Sequence, residues 1–166
     1  GSSPTGTFTF SNNTFSNVTI PSTSTGVCYG IYLLTSTSCR QILQNNTFSN
    51  ISSGTGTLYA INHNYGNTGS EISGNTITGL TGAGIVAGIN IGSTASISMD
   101  VFNNNVNGIT TTGASSVTGI LHAAGTLTNI YRNKVYNINA NNAGATGSGI
   151  RVTAGTTVSL YNNLIG

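Results

Sequence analysis

Six of the 166 residues carry a full charge, and only two of those, Glu71 and Asp100, are carboxylates. A glycosidase needs two carboxyl groups, about 5 Å apart in a retaining enzyme, and a calcium ion takes carboxylate oxygens as ligands. Glu71 and Asp100 are the one pair this chain offers for either task. The plainer reading is two solvated charges that repel slightly, with Arg132 nearby. No obvious cluster of further donors surrounds the pair, so the expectation is a chain without a catalytic site. His63 and His122 are the other titratable candidates, but nothing in their spacing makes a metal site, and no cofactor is expected. Serines are so abundant that a Ser-His-Asp arrangement has no distinctive signal. Cys28 and Cys39 lie close in sequence, and a disulfide between them is compatible with an exported protein. Two small residues sharing one long segment explain them equally well, since Cα separation decides the matter.

What positions these residues is a repeat. Asn13-Thr-Phe15-Ser-Asn17-Val18 returns as Asn46-Thr-Phe48-Ser-Asn50-Ile51, Asn75-Thr-Ile77-Thr-Gly79-Leu80, Asn104-Asn-Val106-Asn-Gly108-Ile109 and Asn133-Lys-Val135-Tyr-Asn137-Ile138, and starts again at Asn163-Leu-Ile165. The leading asparagines are separated by 33, 29, 29, 29 and 30 residues. A near-constant period in this range marks a repeat architecture.

Four apolar columns run through the copies. Three residues before the leading Asn stand Phe10, Leu43, Ile72, Val101, Ile130 and Leu160; two after it stand Phe15, Phe48, Ile77, Val106, Val135 and Ile165. Five after it come Val18, Ile51, Leu80, Ile109 and Ile138, and mid-repeat, after a small residue, come Ile31, Ile61, Ile89, Ile120 and Ile150. β-Branched and aromatic residues in short alternating runs, bounded by Gly, Ser and Asn, form strands, and no segment keeps a helical period. Short strands recurring in one direction at a fixed interval stack as a solenoid, each turn about 4.8 Å above the last, to give a rod about 29 Å long.

The leading asparagines, Asn13, Asn46, Asn75, Asn104, Asn133 and Asn163, fall between two apolar columns, where the chain must bend. Asn tolerates the left-handed backbone, and stacked amides can donate to one neighbour and accept from the other. An internal Asn ladder is therefore expected, with a second corner at Asn17, Asn50, Gly79, Gly108 and Asn137. Glu71 and Asp100 then fall on the outer wall of adjacent coils, four residues before their Asn. His63 and His122 share a column two after the mid-repeat Ile, with Ile91 between them. That puts them about 9.6 Å apart along the rod, and they are expected at a strand exit in place of an aliphatic residue. The Thr column after the leading Asn drifts to Asn105, Lys134 and Leu164, which weakens an ice-binding reading.

The phrase Ile72-Ser-Gly-Asn75-Thr-Ile77, with Gly88-Ile89 mid-repeat, resembles the parallel β-helix repeat of pectin-lyase-like proteins over essentially the whole chain. The resemblance implies an all-β, right-handed parallel β-helix (β-solenoid) of about six coils, with three short sheets and an internal Asn ladder. The low charge and the abundance of Thr, Ser, Asn and Gly also resemble repeats in large exported surface adhesins of Bacteroidota-type bacteria. Fold alone does not fix function.

A net charge of +2 gives no footprint for nucleic acid. No apolar run approaches the roughly 20 residues that span a bilayer. Hydrophobic residues make up 37% of the chain and recur at fixed positions, which disordered low-complexity sequence does not do. The expectation is one domain over 1–166, a segment of a longer array or a stacking subunit, because the chain breaks off inside its own motif without an evident cap. Its expected role is a non-catalytic structural solenoid of an extracellular or cell-surface adhesin or filament. Its expected partners are further copies or coils of the same kind, and glycans under the alternative of a carbohydrate-binding or carbohydrate-cleaving β-helix using Glu71 and Asp100.

Overall fold

A computed structural model describes residues 6–34, 39–64, 67–92 and 98–166. Among these residues every regular element is a strand, and every pairing between strands is parallel. The first sheet contains β1 (Gly6–Ser11), β4 (Cys39–Gln44), β7 (Ser70–Ser73), β10 (Ser98–Phe102), β13 (Leu127–Tyr131) and β16 (Thr157–Tyr161), in that order. The second contains β2 (Thr14–Thr19), β5 (Thr47–Ser52), β8 (Thr76–Gly82), β11 (Asn105–Thr111), β14 (Lys134–Ala140) and β17 (Leu164–Ile165). The third contains β3 (Cys28–Leu33), β6 (Leu58–His63), β9 (Val86–Ile91), β12 (Ser116–His122) and β15 (Thr146–Val152). The chain visits the sheets in rotation, so the molecule is a β-solenoid of about five turns with one strand per sheet in each turn.

The registers are those the four apolar columns require. Leu43 pairs with Ile72, Ile72 with Val101 and Val101 with Ile130 in the first sheet. Phe48, Ile77, Val106 and Val135 align in the second sheet, and Ile61, Ile89 and Ile120 in the third. These interior side chains are wholly buried, as a period-two strand with one face inward demands. The core also takes in Leu58, Val86 and Val117 at the entry to the third sheet.

Two tight corners per turn are built on left-handed residues, all but one of them asparagine or glycine. The second corner lies at Asn17, Asn50, Gly79, Gly108 and Asn137, all at φ between 54° and 67°. The first lies one residue earlier than the sequence indicates. The left-handed residues are Asn12, Asn45, Gly74, Asn103, Arg132 and Asn162, at φ 54° to 63°, and the leading Asn that follows each of them is not among the positive-φ residues. The corner thus frees the leading side chain to turn inward.

The longer first repeat owes its extra length to residues 20–27, between β2 and β3. Cys28 begins β3 and Cys39 begins β4, so the whole of β3, about 16 Å of extended chain, separates one cysteine from the far end of the strand that leads toward the other. Cys28 is a free, half-buried thiol and is not bonded to Cys39. Burial pushes the Cys28 thiol pKa up.

Candidate functional site

The first sheet brings together four of the six charged residues. Arg40, Glu71 and Asp100 all project from its outer face on β4, β7 and β10, and Arg132 sits at the corner just after β13. Glu71 and Asp100 occupy paired positions on adjacent strands, as their common offset from the leading Asn requires. Their partners lie in opposite directions along the axis. Glu71 forms an ion pair with Arg40 one coil before it, and Arg40 Nε also donates to Gly69 O at 2.6 Å. Asp100 Oδ1 accepts a hydrogen bond from Asn129 Nδ2, 2.8 Å away, one coil after it. The partner of Glu71 is Arg40, not Arg132. Each carboxylate is held by its own neighbour.

Beside this column runs a stack of aromatic rings that escaped the reading of the sequence. Phe102 and Tyr131 stack with centroids 5.1 Å apart and planes 5° from parallel, and Tyr131 and Tyr161 at 4.9 Å and 3°. The signal for it is an aromatic residue two before the leading Asn in three successive copies. Desolvation, and then the negative charge of Asp100, raise the pKa of the Tyr131 phenol. A sugar ring binding to an aromatic platform lies against an open ring face. Here the facing sides of the three rings cover one another.

The two histidines face the interior, at the exit of the third sheet, in the column Leu33, His63, Ile91, His122, Val152. His122 is fully buried and satisfied: Nδ1 lies 2.8 Å from Ala154 O and Nε2 lies 2.9 Å from Thr128 Oγ1. The carbonyl fixes the proton on Nδ1, so Nε2 accepts from the threonine hydroxyl. His63 is equally buried, yet neither ring nitrogen has a hydrogen-bond partner among the described residues, and burial pushes its pKa down to about 4. Burial lowers the pKa of His122 as well. Ile91 stands between the two imidazoles, and no group of three or more His, Cys, Asp or Glu able to hold a metal occurs among the described residues.

The interior rungs of the asparagine column are fully satisfied. Asn75 Nδ2 donates to Asn104 Oδ1 at 3.0 Å and to Leu43 O at 3.0 Å. Its Oδ1 accepts both the side-chain and the backbone N–H of Asn46, and its own backbone N–H donates to Asn104 Oδ1. The same bonds repeat from Asn13 through Asn46, Asn104 and Asn133 to Asn163. Asn46, Asn75, Asn104 and Asn133 are buried. Every amide proton and lone pair of an interior rung is used, so this column is closed to any ligand.

No family model matches the chain, and comparison with curated proteins and with solved structures returns no similar protein.

Proposed function

We propose that this chain is a structural, non-catalytic β-solenoid of an exported cell-surface adhesin or extracellular filament. One observation carries the reading: both carboxylates, His122 and the leading asparagines are occupied in holding coils together. Glu71 is tied to Arg40, Asp100 to Asn129 and His122 to Ala154, and all the leading asparagines are rungs. Low charge and outward Ser, Thr and Asn suit a wall that meets solvent and neighbouring molecules without strong fields. Imaging the native material by electron microscopy tests this. Extended rods or surface projections are expected, whereas discrete, uniform globular particles would count against it.

A second reading, binding or cleavage of a carbohydrate, is supported by one arrangement: Glu71, Asp100, Asn129 and the aromatic stack share the outer face of the first sheet. A glycan array together with a polysaccharide-degradation assay separates the two readings. Saccharide release lost in Glu71→Gln would put the second one first.

A further inference from the structure

The inner corner between the third and first sheets is satisfied in one turn and not in another. Where β12 passes to β13, His122 Nε2 lies 2.9 Å from Thr128 Oγ1, so the two inward columns touch across the corner. Two turns earlier, His63 holds the register place of His122 and Ser70 that of Thr128. The equivalent bond does not form, and both ring nitrogens of His63 are without a hydrogen-bond partner among the described residues.

The cause lies in the connection. Seven positions lead from His63 to Ser70, against six from His122 to Thr128. Ser70 Oγ donates to Asn67 O at 2.6 Å, inside that longer connection, and accepts the backbone N–H of Gln41 at 3.1 Å. A hydroxyl has one proton to give, and this one is spent.

Gln41 lies beside Ser70 one turn earlier, in the same inward column. It is 3% exposed, and its Oε1 is likewise unpartnered among the described residues, while His63 is wholly buried. Buried polar atoms without partners are few in native proteins. Three of them, from side chains one turn apart in columns that touch, mark a polar site inside the core.

The chemistry of the three atoms selects what the site takes. An anion would be repelled by the amide oxygen. A metal ion would find one imidazole and one amide oxygen, and no group of three His, Cys, Asp or Glu stands ready among the described residues. Water suits both partners. It can accept from a ring N–H or donate to the bare ring nitrogen, and it can donate to Gln41 Oε1 at the same time.

We propose that one ordered water is held inside this corner, bridging a ring nitrogen of His63 to Gln41 Oε1. It ties β4 to β6 through the interior, as the asparagine column ties turns at the corner between the first and second sheets. The inference rests on interior geometry and does not depend on what the outer wall meets.

A crystal structure of the whole chain, with a parallel zinc soak, tests the site directly. The expected result is ordered density within hydrogen-bonding distance of both atoms, without anomalous signal from zinc. Featureless density, a direct bond between His63 and Gln41, or zinc in that place would each overturn the proposal. A double-mutant cycle in denaturant unfolding tests it in solution. The substitutions are types these columns already hold, Ile91 in one and Met99 in the other. Where a water is shared, His63→Ile alone leaves the water and Gln41 Oε1 short of a partner. His63→Ile should therefore stabilise the Gln41→Met chain more than the parent, by about fivefold in the folding equilibrium constant. Equal effects in the two backgrounds would contradict a shared water.

Discussion

A rung of the asparagine column is worth more than one hydrogen bond, because its removal strands its neighbours. Asn75→Leu would leave the Asn46 backbone N–H, an Asn46 amide proton and Leu43 O without partners in a buried site. Each such group costs about 1–3 kcal/mol, so a loss of at least about 3 kcal/mol in denaturant unfolding is expected. Asn13→Leu should cost only about 1 kcal/mol, since Asn13 donates to Asn46 Oδ1 and Ser11 O at a partly exposed end. A neutral Asn75→Leu would remove the ladder from the account. The rungs were legible in the sequence, but the left-handed corner was displaced by one position. Asn12-Asn13, Asn45-Asn46, Asn103-Asn104 and Asn162-Asn163 offer two asparagines each, and only Gly74 before Asn75 distinguishes corner from rung. Arg132 occupies that corner in one turn at φ 54°, where an ordinary side chain is strained by about 1 kcal/mol. Arg132→Asn should therefore stabilise the protein by a comparable amount, read as an upward shift in its thermal transition.

His63 belongs to the same scale, and its effect has a definite sign. Its pKa falls from an ordinary 6.5 to about 4 on folding, so between those values the unfolded chain binds the extra proton and the folded one does not. The stability this histidine allows is fully present above pH 6.5 and is lost as the pH drops toward 4, by about 3 kcal/mol at 1.36 kcal/mol per pH unit. His63→Ile, which restores the aliphatic residue that Ile91 supplies one turn on, should flatten that acid limb and raise stability at neutral pH. Urea midpoints measured from pH 4 to 8 decide it, and parallel pH profiles for both chains would refute it.

At the scale of the strand, what the sequence makes visible is whatever repeats in one chemical type. The four aliphatic columns were readable because every turn puts a branched or aromatic residue in them. Another inward column, Gln41, Ser70, Met99 and Thr128, was not, because it mixes amide, hydroxyl and thioether and so has no hydrophobic period. The Phe102, Tyr131 and Tyr161 stack spans three turns and was too short to stand out among the varied residues below it. The mid-repeat glycines have a sharper reason than flexibility. A Cβ on Gly119 would lie 2.2 Å from Val135 Cγ1, which packs over it from the next turn, and 2.6 Å from Gly149 O. Gly119→Ala should destabilise the chain by about 1–3 kcal/mol through overpacking, and pairing it with Val135→Ala should recover part of that loss.

For the molecule as a whole, the solenoid buries its polar ladder and its aliphatic columns together and leaves a wall of small polar side chains outside. The sequence reveals this architecture because stacking makes every turn face the same constraints, so that one repeat restates the fold. It does not reveal what the wall meets, since outward residues vary freely from turn to turn once the interior is fixed. The scarce charges gather on the first sheet, and their pairing across coils is the crux of the functional reading. If Glu71 and Asp100 act as ties between turns, their removal alters stability modestly and no chemistry is lost. The most direct measurement is release of saccharides from a panel of polysaccharides by the purified chain beside its Glu71→Gln variant. The account predicts no turnover by either protein, and turnover by the parent that disappears in the variant would contradict it.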